Sequence, residues 1–191
     1  MILAAGGSRR LGTPKQMLVY DGETLIRRAA RTALASACRP VAVVVGASAH
    51  AARREIADLP VLTVFNADWD DGLASSLRTG LTALTADDAP ALDGVVIMLC
   101  DQPLVSPALL DSLVARFQSD GPQIIASDYD GVLGVPALFH RALFGPLLAL
   151  TGDEGARHVL RRHAGPVGRV PFPKGRVDVD TREDYAALES A

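Results

Sequence analysis

Cysteine is scarce in this sequence, lysine is scarcer than a protein with 19 basic residues leads one to expect, and long apolar runs are missing. The two cysteines, Cys38 and Cys100, stand far apart and in no metal-ligand spacing. That excludes a disulfide scaffold and a cysteine-based zinc site, and it predicts two reduced thiols in a cytoplasmic protein. The longest apolar stretches, "PVAVVVGA" and "GVVIMLC", have strand length, far short of a bilayer span. No basic segment followed by an apolar core marks a signal peptide. An excess of positive charge is absent too. The formal net charge is -3, which argues against a general nucleic-acid or membrane-surface binder. Any attraction for an anionic ligand must therefore be local.

The 191 residues suffice for one domain with a sizeable core, and the expectation is a single domain over 1–191. Strand and helix patterns alternate along it. "MILAA" reads as a first strand, short for this kind of fold, which leaves open whether residues precede Met1. "GETLIRRAARTALASA" puts Leu25, Ile26, Ala29, Ala30, Ala33 and Leu34 on one helical face. "PVAVVVG" is a β-branched run of the kind buried on both faces of a sheet. A short polar helix in "SAHAARREIADL", a strand in "VLTVF" and a helix in "LASSLRTGLTAL" follow. "GVVIMLC" is the most apolar strand. "SPALLDSLVARF" opens with Ser106 as N-cap and Pro107 at the first helical position. "QIIAS" is a further strand, the stretch through "GVPALFH" is mixed, and "GDEGARHVLRRH" reads as helical. "VGRVPFP" and "VDVD" are extended, and "TREDYAALES" is a closing helix capped by Thr181. The alternation predicts an α/β fold in three α/β/α layers, Rossmann-like, around a mostly parallel sheet. Such sheets bind ligands beyond the carboxyl ends of their strands.

The first strand runs straight into "GGSRRLGTPK". Gly6, Gly7 and Gly12 let amide groups wrap an anion, and Arg9, Arg10 and Lys15 add full charges suited to phosphate oxygens. Only Lys15 and Lys174 are lysines, so a lysine in this loop stands out from a background of arginine. It has little packing reason to be there, and its replacement is expected to cost turnover more than fold. The loop is no Walker A motif, because Gly12 is followed by Thr13, Pro14 and Lys15. It also lacks the G-x-G-x-x-G spacing of dinucleotide-binding folds, which weakens an oxidoreductase reading. Asp101 ends the strand "GVVIMLC". It suits either a cap in an Asx-turn before Pro103 or a ligand for Mg²⁺, which prefers hard oxygens.

"LAAGGSRRLGTPKQ" resembles the loop of the molybdenum cofactor cytidylyltransferases and related MobA-like nucleotidyltransferases. "NADWDDGLASSLRTGL", "MLCDQPLVSPALL", "GVPALF", "GDEGAR" and "DVDTREDY" continue the likeness in the same order over nearly the whole chain. The resemblance implies nucleotide contacts from Leu3, Ala4, Ala5, Gly6, Gly7, Ser8, Arg9, Gly12 and Lys15. It implies others from Gly72, Ser75 and Ser76, where the two serines read equally well as a helix start. Arg10, Lys15 and Asp101 are the implied catalytic residues. Mg²⁺ is the implied cofactor, held by Asp101 and Asp180 with Asp178 in reserve, and Asp153 and Arg157 fall where the family binds its acceptor.

The implied reaction is attack by the phosphate of molybdenum-bound molybdopterin on the α-phosphorus of CTP, with pyrophosphate leaving. A phosphate monoester is largely ionised at neutral pH, its second pKa being about 6, so no general base is required. Ala5 matches cytidylyl-type relatives, whereas guanylyl-type ones more often have glycine. Val135 departs from the pattern, since many relatives carry histidine there, and this leaves the acceptor open. Transfer to another phosphorylated acceptor, such as methylerythritol phosphate, is the neighbouring reading. A nucleotide-gated carrier handing the cofactor to a recipient molybdoenzyme or its accessory protein is the non-catalytic one.

Overall fold

The computed structural model describes residues 1–7, 12–119, 121–176 and 181–189. Its strands are β1 (Ile2–Ala4), β2 (Val19–Tyr20), β3 (Glu23–Thr24), β4 (Ala42–Val45), β5 (Leu62–Phe65), β6 (Gly94–Leu99), β7 (Ile124–Tyr129), β8 (Val132–His140) and β9 (Val167–Pro171). Its α-helices are α1 (Leu25–Leu34), α2 (Ala49–Glu55), α3 (Leu73–Leu84), α4 (Pro107–Gln118), α5 (Phe144–Leu148), α6 (Ala156–Arg162) and α7 (Arg182–Glu189). Seven strands form one sheet in the order β5-β4-β1-β6-β8-β7-β9, and β2 with β3 makes a small separate hairpin. Within the large sheet only β8 runs against its neighbours.

Alternation along the central strands builds two cores. Leu3, Val44 and Ile97 face α3, α5 and α6, joining Leu77, Leu81, Leu147 and Leu160. Ile2, Val43, Val45 and Met98 face α1, α2 and α4, joining Ile26, Ala30, Ala52, Leu110 and Leu113. Strands buried on both faces need apolar residues at every position, which is why β4 and β6 read as continuous apolar runs.

Local signals account for most helix ends. Ser106 Oγ accepts from the Leu109 amide at 3.2 Å, with Pro107 at the first position of α4. Thr181 Oγ1 accepts from Asp184 N at 3.1 Å while Asp184 Oδ2 accepts from Thr181 N at 2.8 Å, a reciprocal cap on α7. Two segments differ from the pattern reading. The start of "GETLIRRAARTALASA" is not helical, because Asp21 and Gly22 take positive φ and turn the chain through the β2–β3 hairpin. "GDEG" is likewise a turn, and α6 begins only at Ala156. The mixed stretch resolves as β8, hairpin-paired to β7 across Asp130 and Gly131. The "VDVD" segment lies outside the described residues.

The connections from β1 to β4 and from β6 onward leave to opposite sides of β1, so the strand order reverses between β1 and β6. A crevice opens there beyond the carboxyl ends. The glycine-rich loop leaves β1 and Asp101 follows β6, so topology alone brings them to one edge.

Candidate active site

A cleft of about 420 Å³ lies at that edge. Its floor is the end of β1, Leu3 to Ala5, continuing into Gly6 and Gly7, and one wall is Leu99, Cys100 and Asp101 at the end of β6. Lys15 and Gln16, in a short 3-10 turn after the loop, close a second side. Trp69, Asp70, Gly72, Leu73, Ser76 and Asp153 form the far wall.

The electrostatic centre is an ion pair between Lys15 Nζ and Asp101 Oδ2, residues 86 apart in sequence. Asp101 is 6% exposed and Lys15 24%, so the carboxylate is buried and the ammonium reaches in from the rim. Lys15 therefore has a structural partner that its sequence context does not show, so its replacement touches the fold as well as turnover. The buried carboxylate needs a counter-charge, because an unpaired charge in a protein interior is costly. Asp101 Oδ1 is buried without a hydrogen-bond partner. Among the described residues no group of three or more His, Cys, Asp or Glu side chains converges on an ion position. An orphaned carboxylate oxygen in a cleft fits a hard divalent cation, which takes one or two protein carboxylates and completes its shell with water and phosphate. Asp101 would hold it. Next to it, burial and then the neighbouring Asp101 charge push the Cys100 thiol up to about 12. It stays protonated and is no nucleophile.

The walls are fixed by small residues. The Trp69 ring lies over Gly7, where a Cβ would come within 2.9 Å of Cζ3. Its own Cβ sits against Gly46, where an added Cβ would be at 2.6 Å. Trp69 is thus a packing anchor for the loop. Gln16 is buried and its Nε2 approaches the Gly6 carbonyl at 3.4 Å. Gly72 has φ 98° and faces the Gly152 carbonyl, 2.4 Å from where a Cβ would stand, while Ala74 N donates to that carbonyl at 3.0 Å. Its glycine is demanded by this internal contact, a different reason from ligand approach. Gly72→Ala combines a backbone conformation that costs about 1–3 kcal/mol with a steric clash. We expect a loss of about 3 kcal/mol and a melting temperature lower by roughly 10 °C in a thermal melt.

The paired serines separate. Ser76 lines the cleft. Ser75 does not: its hydroxyl donates to the Gly72 carbonyl at 2.8 Å and accepts from Asn66 Nδ2 at 2.8 Å. Asn66 also donates to Ser76 Oγ at 3.0 Å, so it ties both serines to the end of β5. Sequence reasoning misses Asn66, Gln16 and Gly152. All three stand inside the motifs that carry the family likeness, but nothing in their spacing shows a buried amide or a carbonyl cradle. Arg157 lines an adjoining cleft, which shares Asp153 with this one. Ser8, Arg9, Arg10, Asp178 and Asp180 lie outside the described residues, and Gly12, with φ 68°, stands just past the undescribed part of the loop.

A phosphate-suited loop at the β1/β6 switch point, with a buried carboxylate opposite a lysine, defines a nucleotidyltransferase-type site. The chain belongs to the MobA-like NTP transferase family, whose domain pattern matches residues 1–167. It is 35% identical over 199 residues to the nicotine blue oxidoreductase of Paenarthrobacter nicotinovorans, covering 99% of this chain and 92% of that one. It is 32% identical over 203 residues to the purine catabolism protein PucB of Bacillus subtilis, covering 100% and 95%. Among solved structures, Rv0371c of Mycobacterium tuberculosis superposes with a TM-score of 0.85 at 34% identity, covering 100% of this chain and 95% of that one. A manganese complex of the same protein superposes with a TM-score of 0.81 at 30% identity, covering 100% and 96%. No helix among the described residues is long and apolar enough to cross a membrane.

Proposed function

We propose that this protein, a single domain over 1–191, is a cytoplasmic cytidylyltransferase that moves CMP from CTP to the phosphate of molybdenum-bound molybdopterin and releases pyrophosphate. The observation that carries the reading is the buried Asp101 carboxylate, with one oxygen on Lys15 and one unpaired, in the cleft that Gly6 and Gly7 also line. The family and the manganese complex of a relative support it. Lys15 would leave the carboxylate and meet the phosphates of the bound triphosphate. The Gly6 and Gly7 amides, with Arg9 and Arg10, would hold the β- and γ-phosphates, and Ser76 would face the ribose or base. Asp101 would hold Mg²⁺, which supplies charge neutralisation at the phosphates. In-line positioning and preorganised charge then carry the rate without a general base. Ala5, which lines the cleft and matches cytidylyl-type relatives, supports CTP over purine nucleotides.

The test is pyrophosphate release, crossing four nucleoside triphosphates with phosphorylated acceptors that include molybdopterin and methylerythritol phosphate. The expected result is release with CTP and molybdopterin, with CTP bound at least tenfold more tightly than GTP. Equal or tighter GTP binding would remove the cytidylyl assignment, and nucleotide binding without release would favour the carrier. One relative's name, nicotine blue oxidoreductase, supports a second reading, an oxidoreductase activity. Nicotinamide-dinucleotide consumption measured alongside separates the two.

A further inference from the structure

Asn66 continues the β4–β5 ladder, its backbone amide donating to the Val45 carbonyl at 2.9 Å. The residue is 1% exposed, and its side chain is engaged on every side. Oδ1 accepts from Asp68 N at 3.0 Å and from Thr79 Oγ1 at 3.4 Å. Nδ2 donates to Ser75 Oγ at 2.8 Å and to Ser76 Oγ at 3.0 Å. The orientation of the amide is forced, because a backbone N–H can only donate and so must meet Oδ1. Both serine oxygens are therefore acceptors toward Asn66.

The two serines differ in where their own protons go. Ser75 donates to the Gly72 carbonyl at 2.8 Å, so it both accepts and donates inside the protein. Ser75 alone is enough to tie the end of β5 to the start of α3. The Ser76 hydroxyl donates to no group among the described residues, yet Ser76 is only 4% exposed and lines the cleft. Asn66 holds one of its lone pairs, and a buried donor left unmatched is costly, so its proton is directed at whatever fills the cleft.

We propose that Asn66 is a positioning residue for nucleotide selection: it fixes Ser76 as a hydrogen-bond donor, and the nucleoside atom that meets Ser76 is an acceptor. The inference rests on the nucleotide reading of the cleft. To that reading it adds the polarity of one contact and a residue that does not itself line the cleft. Asn66 touches no ligand and acts through Ser76. An amino group of the nucleoside placed there would set proton against proton, and a site built around one donor rejects that arrangement.

The experiment is calorimetry with Mg²⁺ and no acceptor substrate. Its probes are inorganic triphosphate and whichever of CTP, UTP, ATP and GTP binds wild type most tightly. Asn66→Asp keeps the size of the side chain and an oxygen for Asp68 N, but replaces the donor with an acceptor. The Ser76 proton then turns to the carboxylate and away from the cleft. Asn66→Asp weakens the nucleotide at least tenfold and Ser76→Ala about fivefold, the range of one neutral hydrogen bond. In the Ser76→Ala background Asn66→Asp changes nucleotide affinity by less than twofold. Inorganic triphosphate, which has no nucleoside, binds all of these proteins within twofold of wild type, so the added negative charge is not the cause. Melting temperatures check that the variants fold. Asn66→Ser, whose shorter hydroxyl replaces the amide without charge, repeats the comparison and weakens the nucleotide at least threefold only when Ser76 is present. Equal losses with and without Ser76 would make Asn66 a structural tie and overturn the proposal. So would an equal loss for inorganic triphosphate, which would place Ser76 on the phosphates. Normal nucleotide binding in every variant removes this proposal alone. Failure of all four nucleoside triphosphates to bind wild type removes the nucleotide reading, and this proposal with it.

Discussion

Lys15→Ala lowers pyrophosphate release by about a hundredfold or more, and it also lowers the melting temperature. The rate effect follows from removing one preorganised charge at the phosphates, comparable to deleting one donor of an oxyanion hole, which costs roughly 10²–10³ in rate. The stability effect follows from the ion pair. Asp101 is buried, and its Oδ2 has Lys15 Nζ as partner. Removing one member of a buried pair costs about 3–5 kcal/mol because the other charge is stranded. Lys15 is 24% exposed, so part of that interaction is already screened. After this discount we expect a loss of about 2 kcal/mol, or roughly 4–8 °C in melting temperature for a chain of this size. Mn²⁺ at saturating concentration restores part of the lost stability, because binding to the native state adds counter-charge at the stranded carboxylate. Thermal melts with and without Mn²⁺, beside the release assay, check both halves. A normal rate would take Lys15 out of the chemistry, and a melt matching wild type would show that the Asp101 pair contributes nothing to the fold.

The parts of this molecule that local rules govern are legible in the order of its amino acids. β4 and β6 stand out as apolar runs, because strands covered on both faces admit little else. The α4 start is visible in Ser106 and Pro107, because capping acts over three residues. β8 is not visible as a strand. Gly134 and Pro136 interrupt its pattern, and what makes it a strand is pairing with β6 on one side and β7 on the other. The same division runs through the site. Strand order alone places the loop and Asp101 at one sheet edge. It does not show that Lys15 meets Asp101, since contact across 86 residues depends on where the 3-10 turn after the loop points. Ser75 and Ser76 are equivalent as letters. On α3 they point about 100° apart, one into a hydrogen-bond cradle and one into the cleft. Gly72 is legible as special but for an incomplete reason, because its neighbour is a carbonyl 80 residues downstream.

Asp101→Asn will cost as much rate as Lys15→Ala and less stability. The substitution removes the charge at Oδ2 and makes the buried oxygen pair an amide. Lys15 then loses its counter-ion, but it sits at the rim and its ammonium can turn to water. The expected stability loss is under about 1 kcal/mol, the range of a solvated ion pair. Activity falls by roughly a hundredfold or more, since the unpaired Asp101 carboxylate oxygen suits a divalent cation. Direct Mn²⁺ binding, read by the electron paramagnetic resonance of free Mn²⁺, weakens at least tenfold. The double variant Lys15→Ala/Asp101→Asn separates fold from chemistry. With no carboxylate to strand, it melts close to Asp101→Asn and above Lys15→Ala, giving a coupling of about 1–2 kcal/mol. Its rate is little worse than either single variant, because both residues act on the same bound triphosphate. Fully additive rate losses would mean that the two work at separate places. Equal melting temperatures for the two single variants would mean that the asymmetry in burial between Lys15 and Asp101 has no energetic weight.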